Sequence, residues 1–136
     1  MQSGKPPAPN YSDLATASLR LQFGDGIRIG PGKIDLLEAI LTTGSISGAG
    51  RKLGMSYRRA WLLVDEMNGQ FARPVVVAST GGSHGGGAQV TDFGRGLIGT
   101  YRAIVARTTA IVRDEVGVLE RKFSLEFPGA EEKEDA

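Results

Sequence analysis

Two adjacent arginines, Arg58 and Arg59, are the side chains of this 136-residue chain best suited to recognise another molecule. A guanidinium donates two parallel hydrogen bonds to O6 and N7 of guanine, and such a pair discriminates against other bases by about 1–3 kcal/mol. Ser56 and Tyr57 precede the arginines directly, and Leu62 follows within one helical turn. These residue types favour contact with base edges in the DNA major groove, and phosphate contact is the alternative for either arginine.

The stretch 44–68, GSISGAGRKLGMSYRRAWLLVDEMN, predicts two short helices joined by a tight turn. Ser45 or Ser47 caps the first helix, and Gly54 suits the left-handed residue that ends it. Ser56 caps the second helix, whose apolar residues recur at three- and four-residue steps. Those apolar residues are Ala60, Val64 and Met67. The pattern is typical of a DNA-binding helix-turn-helix, and the alternative is an ordinary helical hairpin whose arginines are merely solvated.

The helix-turn-helix interpretation supplies most of the candidate DNA contacts. The amino-terminal residues of the second helix enter the major groove, while Arg51 and Lys52, at the end of the first helix, contact phosphates. The candidates on the two helices are Ser45, Ser47, Arg51, Lys52, Ser56, Tyr57, Arg58, Arg59 and Leu62. Trp61 is expected in the core, because large rings are well buried on average, and a DNA contact is the alternative. Gly50 is expected to weaken the first helix by about 1 kcal/mol relative to Ala.

The segments on both sides of this motif predict a winged helix. Before it, the sequence predicts two short strands and an amphipathic helix, at 17–23, 27–29 and 33–41. After it, 75–78 and 88–90 predict a β-hairpin with a glycine-rich tip at 81–87. A phosphate cradle of a nucleotide enzyme is the alternative for this tip, but no Gly-Lys-Ser/Thr follows it. The expected fold class is α+β, mainly α: a winged helix-turn-helix with a long carboxy-terminal dimerisation helix.

A long helix is predicted after Thr91 and Asp92, with apolar pairs spaced seven residues apart. This period is typical of the seam between paired helices, and the helix is too long for a winged domain of this size to cover. We expect the helix to span 91–116 and to form a homodimer. The residues expected at the dimer interface are Leu97, Ile98, Tyr101, Ile104, Val105, Thr108, Ile111 and Val112. The alternative is a helix that packs only on its own domain.

Composition indicates a single domain with a basic body. The chain has no cysteine, which excludes disulfides and thiolate metal sites. No apolar run approaches the ~20 residues of a membrane span, and the amino terminus lacks a signal peptide, so a cytoplasmic protein is expected. Residues 1–113 hold 13 Lys and Arg against 7 Asp and Glu, whereas 114–136 hold 3 against 8. The positive charge of residues 1–113 favours binding to DNA phosphates. We expect a disordered leader at 1–12, the winged domain at 13–116 and an acidic flexible tail at 117–136.

No residue set predicts an enzyme, a metal site or a cofactor. His84 is the single histidine, and it has neither cysteine nor a nearby carboxylate to complete a metal site. Asp65 and Glu66 resemble an acid/base pair only in sequence. Neighbouring positions on a helix diverge by about 100°, so the two carboxylates cannot converge on one substrate.

The motif GMSYRRAW is followed by EMN, by the glycine-rich GGSHGGGA and by Thr-x-x-Gly-x-x-Leu-Ile. In order and spacing, these motifs resemble those of the amino-terminal domain of the ModE family of molybdenum-responsive transcription regulators, which is itself similar to the DNA-binding head of LysR-type regulators. The resemblance spans about residues 19–113. It implies a dimeric winged-helix protein that binds double-stranded DNA at a palindromic operator near genes of molybdate uptake or molybdoenzymes. It also implies a reading helix at Ser56–Asn68 and a wing at Gly81–Gly87 whose Ser83 and His84 face DNA.

The chain differs from the family mainly in lacking the expected sensor modules. Family members carry molybdate-binding modules after this domain, and this chain has an acidic tail where they would begin, so a separate molybdate-sensing partner is expected. Two other functions stay open. One is an adaptor that forms heterodimers with a full-length regulator through residues 97–119, and the other is direct oxyanion sensing by the wing and His84. The operator, the choice between activation and repression, and the natural length of the chain are not fixed by the sequence.

Overall fold

The computed structural model describes residues 11–79 and 87–123, which are mainly helical with two antiparallel β-hairpins. The chain forms two compact units, one at Ser18–Val105 and one that combines Met1–Ala17 with Ala106–Ala136. The elements in chain order are α1 (Tyr11–Leu14), β1 (Leu21–Phe23), β2 (Ile27–Ile29), α2 (Pro31–Thr43), α3 (Ile46–Leu53), α4 (Tyr57–Gln70), β3 (Val76–Ser79), β4 (Gly87–Val90) and α5 (Asp92–Phe123). Three helices followed by a hairpin and a long helix confirm the predicted winged helix-turn-helix. Among the described residues, no helix is both long and apolar enough to cross a membrane.

The core of the Ser18–Val105 unit is built around α2. Pro31 starts this helix, where its missing N–H costs nothing, and Gly44 ends it with a left-handed φ of 74°. Helices α3 and α4 and strand β4 all contact α2. Four of its large apolar side chains are accordingly fully buried, namely Ile34, Leu36, Leu37 and Ile40, whereas Leu41 is exposed. A central helix covered on several sides leaves the outer faces of α3 and α4 for other contacts.

The caps of the helix-turn-helix are those that the sequence predicts. The Ser45 hydroxyl accepts a hydrogen bond from the Gly48 N–H at 2.9 Å, and the Ser56 hydroxyl accepts one from the Arg59 N–H at 3.1 Å. Gly54 ends α3 with a left-handed φ of 71°. These bonds satisfy backbone donors that the first turn of a helix would otherwise leave unpaired, so the turn between α3 and α4 is fixed locally.

Gly50 has a packing role that the sequence did not reveal. A Cβ at this position would lie 3.2 Å from the Met55 carbonyl oxygen and 3.4 Å from the Ala60 Cβ. Gly50 costs α3 about 1 kcal/mol of helix propensity, and the close approach of α3 to α4 that it permits offsets this cost. An alanine would gain propensity only if the Met55 carbonyl and Ala60 shifted by a few tenths of an ångström.

The β3–β4 hairpin, here called the wing, is joined to the rest of the unit at its base. Val76 pairs with Val90, and Ser79 pairs with Gly87. The Ala88 N–H donates to the Gly44 carbonyl at 2.9 Å, which ties β4 to the end of α2. The described part of the wing is thus held against the same helix that carries the core.

Thr91 joins the wing to α5, as the predicted cap requires. Its hydroxyl accepts from the Gly94 N–H at 3.0 Å and donates to the Pro74 carbonyl at 2.7 Å, and its own N–H donates to the Val75 carbonyl at 2.9 Å. A Cβ on Gly94 would lie 2.5 Å from the Val75 oxygen and 2.8 Å from Val90 Cγ1. Glycine is therefore needed where α5 crosses the base of the wing.

The first strand is shorter than the predicted 17–23, because the residues before Leu21 use their backbone groups elsewhere. The Ala17 N–H donates to the Thr109 hydroxyl at 3.1 Å. The Leu19 carbonyl accepts from the Tyr101 hydroxyl at 2.7 Å. Burial raises the pKa of the Tyr101 phenol, which keeps it the donor of that bond.

Two residues of the predicted dimer interface, Ile98 and Tyr101, are buried within the Ser18–Val105 unit itself. They are only 8% and 2% exposed and belong to the core of the Ser18–Val105 unit, against which Leu97 and Val105 also pack. The seven-residue period identified a buried face correctly, but this part of the face is covered by its own domain. Of the other residues predicted there, Ile104 and Ile111 are exposed, and Thr108 and Val112 are half-buried.

The last helix also differs from its predicted bounds. It continues through Gly117 to Phe123, past the expected boundary at 116, because one glycine costs a helix only about 1 kcal/mol. Helix α1 lies across the expected end of the leader at 12. In the second unit, the Arg113 guanidinium donates to the Ala15 carbonyl at 2.9 Å. The expected leader at 1–10 and the tail from 124 onward lie outside the described residues.

Candidate nucleic-acid interface

The first turn of α4 presents a basic, partly aromatic surface. Tyr57 is 58% exposed and Leu62 is 48% exposed. Arg58 and Arg59 are also exposed, and within the described residues their guanidinium groups have no hydrogen-bond or ion-pair partner. The opposite side of the helix is occupied by Ala60, Val64 and Met67, which are buried as the sequence predicts. The side chains of Tyr57, Arg58, Arg59 and Leu62 are thus exposed where an external partner can reach them, while the Ser56 hydroxyl caps the helix.

Three elements meet beside this turn. A shallow hollow is lined by Ser45 and Ser47 from the start of α3, by Tyr57 from the start of α4 and by Gly87 and Ala88 from the wing. The Ser45 hydroxyl accepts a hydrogen bond as a helix cap, and its O–H can still donate to an acceptor such as a phosphate oxygen. The fold therefore brings the two motif helices and the base of the wing to one surface.

The two basic residues at the end of α3 lie on different faces. Arg51 stands four residues after Ser47 and so shares the face that lines this hollow. Lys52 points away from it, because its ammonium donates to the Thr42 hydroxyl at 3.3 Å. Of the two predicted phosphate contacts, only Arg51 shares a face with the reading turn.

The surroundings of Lys52 are acidic. With Thr42 it lines a hollow that also contains the carboxylates of Asp35 and Glu38. Both carboxylates pair with Arg102, at 2.9 Å for Asp35, and these pairs raise the pKa of the guanidinium. Because the two carboxylates balance the charges of Arg102 and Lys52, this side of the domain offers a DNA backbone no net positive charge.

Trp61 is not a core residue, contrary to the sequence prediction. Its side chain is 46% exposed and lines a mostly apolar hollow with Ile46, Val77 and Ala78, on the wing side of α4. The residue next to it, Ala60, occupies the buried position. A turn of about 100° per residue therefore carries the indole out of the core.

Asn68 is the functional residue that sequence reasoning missed. Its side-chain oxygen accepts from the Val75 and Val76 N–H groups at 2.8 and 3.3 Å, and its amide nitrogen donates to the Val76 carbonyl at 3.0 Å. The end of α4 thus holds the first strand of the wing in place. An asparagine inside a helix is itself a signal, because its side chain competes for backbone hydrogen bonds.

The remaining predicted wing contacts, Ser83 and His84, lie outside the described residues, so they stay predictions. Across residues 11–79 and 87–123, no group of three or more His, Cys, Asp or Glu side chains is arranged to hold a metal ion.

Comparison with known proteins gives no match to a protein-family model. The molybdenum-pterin-binding protein MopA of Rhodobacter capsulatus is 41% identical over 104 residues, which cover 76% of this chain and 38% of MopA. MopB of the same organism is 51% identical over 60% of this chain and 30% of its own length. The DNA-binding transcriptional dual regulator ModE of Escherichia coli K12 is 39% identical over 61% of this chain and 32% of the regulator. Over 60–76% of its length, this chain is thus similar to ModE and to the related proteins MopA and MopB.

The ModE-family resemblance drawn from the motifs is thereby confirmed. The chain spans about a third of the length of these relatives, between 30% and 38%. Among solved structures, this chain is similar to full-length LysG, a LysR-type regulator (LTTR) of Corynebacterium glutamicum. The match has a TM-score of 0.49 and 24% sequence identity, and it covers 68% of this chain and 30% of LysG.

Proposed function

We propose that this ModE-family domain binds double-stranded DNA in a sequence-specific manner, as part of a regulator of molybdate-uptake or molybdoenzyme genes. The observation that carries the proposal is the exposed pair Arg58 and Arg59 at the start of α4, which have no partner among residues 11–79 and 87–123 and lie beside the start of α3 and the base of the wing. The names of the relatives supply the molybdenum connection and the regulatory role.

In this proposal the first turn of α4 enters the major groove. Arg58 has the forked donors that recognise O6 and N7 of guanine, and Leu62, one turn further along, offers apolar contact to a thymine methyl group. Ser47 and Arg51 lie on the adjoining face of α3 and bind the phosphates next to the groove. The wing, held by Asn68, reaches the backbone on the other side of Trp61.

We further propose that the protein binds a palindromic operator as a homodimer. Ile111, Val118 and Leu119 of α5 are 63%, 38% and 46% exposed, and a helix buries such residues well by pairing with a second copy. Two-fold symmetry then gives half-sites about one helical turn of DNA apart, or a multiple of it.

The proposal is tested by selecting duplexes from a random DNA pool with the full chain and measuring affinity by fluorescence anisotropy over a salt series. Arg58→Ala should reduce the preference for the selected site over a scrambled site by roughly 5- to 150-fold, the equivalent of one lost bidentate contact. Arg51→Ala should weaken both duplexes alike and lower the salt slope by about 0.9. Lys52→Ala is the matched control and should change neither quantity.

Three results bear on the wider proposal. Affinity that is independent of salt and of Arg58 would refute DNA recognition by this surface. A stoichiometry of one chain on a duplex with both half-sites would refute the homodimer. Genomic mapping of the bound sites should place them upstream of molybdate-uptake or molybdoenzyme genes.

A further inference from the structure

We propose that Arg20, Arg28 and Arg59 form a second DNA-backbone contact, here called the hairpin clamp, on the side of α4 away from the wing. The clamp rests on the proposed function and adds to it a surface that neither the helix-turn-helix nor the wing contains. Its ligand is the phosphate backbone of the duplex that α4 reads.

One hollow of the Ser18–Val105 unit brings these three arginines together. Arg20 comes from the segment before β1, Arg28 from the middle of β2 and Arg59 from the first turn of α4. The floor of the hollow is the segment Gly30–Gly32. The stem of Arg20 lies over this floor, since a Cβ on Gly30 would be 3.8 Å from Arg20 Cγ. Residues far apart in the chain therefore make one positive surface.

The charge of the hollow is not neutralised within the described part of the chain. All three arginines are exposed, and none of their guanidinium groups has a described carboxylate partner. The nearby carboxylate of Glu66 is engaged by the Lys33 ammonium at 3.1 Å. Three uncompensated guanidinium groups at one place suit a polyanion that can offer several phosphates at once.

Lys33 builds the clamp rather than belonging to it. It is only 9% exposed, and its ammonium also donates to the Arg28 carbonyl at 2.8 Å and to the Gln70 side-chain oxygen at 3.3 Å. These bonds hold β2 against the start of α2 and the end of α4. Arg28 is therefore presented from a fixed strand and loses less entropy on binding than a loop residue would.

The position of the clamp matches the geometry of a helix in the major groove. Trp61 lies on the wing side of α4, whereas Arg59 precedes it by two residues and is rotated by about 200° around the helix axis. Arg59 also lines the hollow that contains Arg58 and Leu62, so the clamp is continuous with the reading surface. A helix seated in the groove has a phosphate strand on each side. The wing flanks one strand and the hairpin clamp flanks the other.

The test compares the double variant Arg20→Gln and Arg28→Gln with a matched double control, Arg73→Gln and Arg95→Gln. The control arginines are also exposed, and in the part of the chain described by the structure they have no ion-pair partner. Arg59 is left intact because it belongs to the reading turn. Thermal unfolding of each variant checks that the fold is retained.

The clamp variant should lower the slope of log affinity against log salt by about 1.8, since each lost phosphate contact contributes about 0.9. With affinity at 1 M salt as the reference, this corresponds to roughly a 30-fold loss at about 0.15 M. The ratio of affinities for the selected and scrambled duplexes should not change. Hydroxyl-radical footprinting should lose protection only on the backbone strand opposite the wing. The control variant should match the wild type in all four measurements.

An unchanged salt slope and footprint in the clamp variant would overturn the inference while leaving sequence-specific binding by α4 intact. A wild-type chain that binds no duplex would instead refute the proposed function. A small free oxyanion offers the hollow the same negatively charged oxygens as a DNA phosphate. Competition by micromolar molybdate or sulfate at constant ionic strength, abolished in the clamp variant, would assign the hollow to a small anion and overturn the backbone contact.

Discussion

Replacement of Asn68 by alanine tests whether the reading helix holds the wing. Asn68→Ala removes the acceptor of the Val75 and Val76 N–H groups and the donor to the Val76 carbonyl. Val75 is fully buried and Val76 is 5% exposed, so water cannot freely replace the lost partner. Each buried group left unpaired costs about 1–3 kcal/mol. Because Asn68 itself is half-buried and one of its bonds is as long as 3.3 Å, we expect a total loss of about 2–4 kcal/mol.

Urea unfolding followed by circular dichroism measures this loss directly, with an unchanged m-value if both proteins unfold in one step. Asp65→Ala is the control, because Asp65 is exposed on the same helix and should cost at most about 0.5 kcal/mol. Asn68→Asp keeps the acceptor and loses the donor, so its loss of unfolding free energy should fall between those of Asp65→Ala and Asn68→Ala. Hydrogen exchange should accelerate at Val75 and Val76 in the alanine variant. A loss of stability equal to that of Asp65→Ala would refute the bridging role.

Two further predictions concern the packing of α5. Gly94→Ala should destabilise the domain by about 1–3 kcal/mol in urea unfolding, because the new Cβ would lie 2.5 Å from the Val75 oxygen. Gly99→Ala, which meets no atom within 4 Å, should instead stabilise it by about 0.5–1 kcal/mol; destabilisation by both would contradict the explanation. The Tyr101 phenol has a pKa raised by burial, so its hydrogen bond stabilises the fold below the unfolded pKa of about 10 and is lost as pH rises through the higher folded pKa. Tyr101→Phe should cost about 1–3 kcal/mol at neutral pH and reduce the loss of stability above about pH 10, and an unchanged alkaline profile would count against it.

Much of the fold follows from local chemistry in the sequence. The hydroxyls of Ser45, Ser56 and Thr91 cap their helices as predicted, and Gly54 ends α3 in the left-handed region. These features depend on residues within three or four positions of each other, so spacing is enough to predict them. The motif pair that indicates the ModE family is likewise a property of the sequence alone.

The element that covers each apolar helix face could not be predicted in the same way. A period of seven predicts that α5 has an apolar face, but it does not say which neighbour covers that face. Ile98 and Tyr101 are covered by their own core, whereas Ile111 stays 63% exposed. For the same reason Trp61 was expected inside and lies outside.

Local sequence patterns are enough to predict a winged helix whose basic turn at Arg58 and Arg59 suits DNA. Which other charges lie beside that turn depends on how the chain packs. The tertiary structure separates Arg51 from Lys52, gives Asn68 its role at the wing, and brings Arg20 and Arg28 beside Arg59. The physical reason is that caps and turns are satisfied by near neighbours in the chain, whereas a charged surface is assembled by elements that meet only when the core closes.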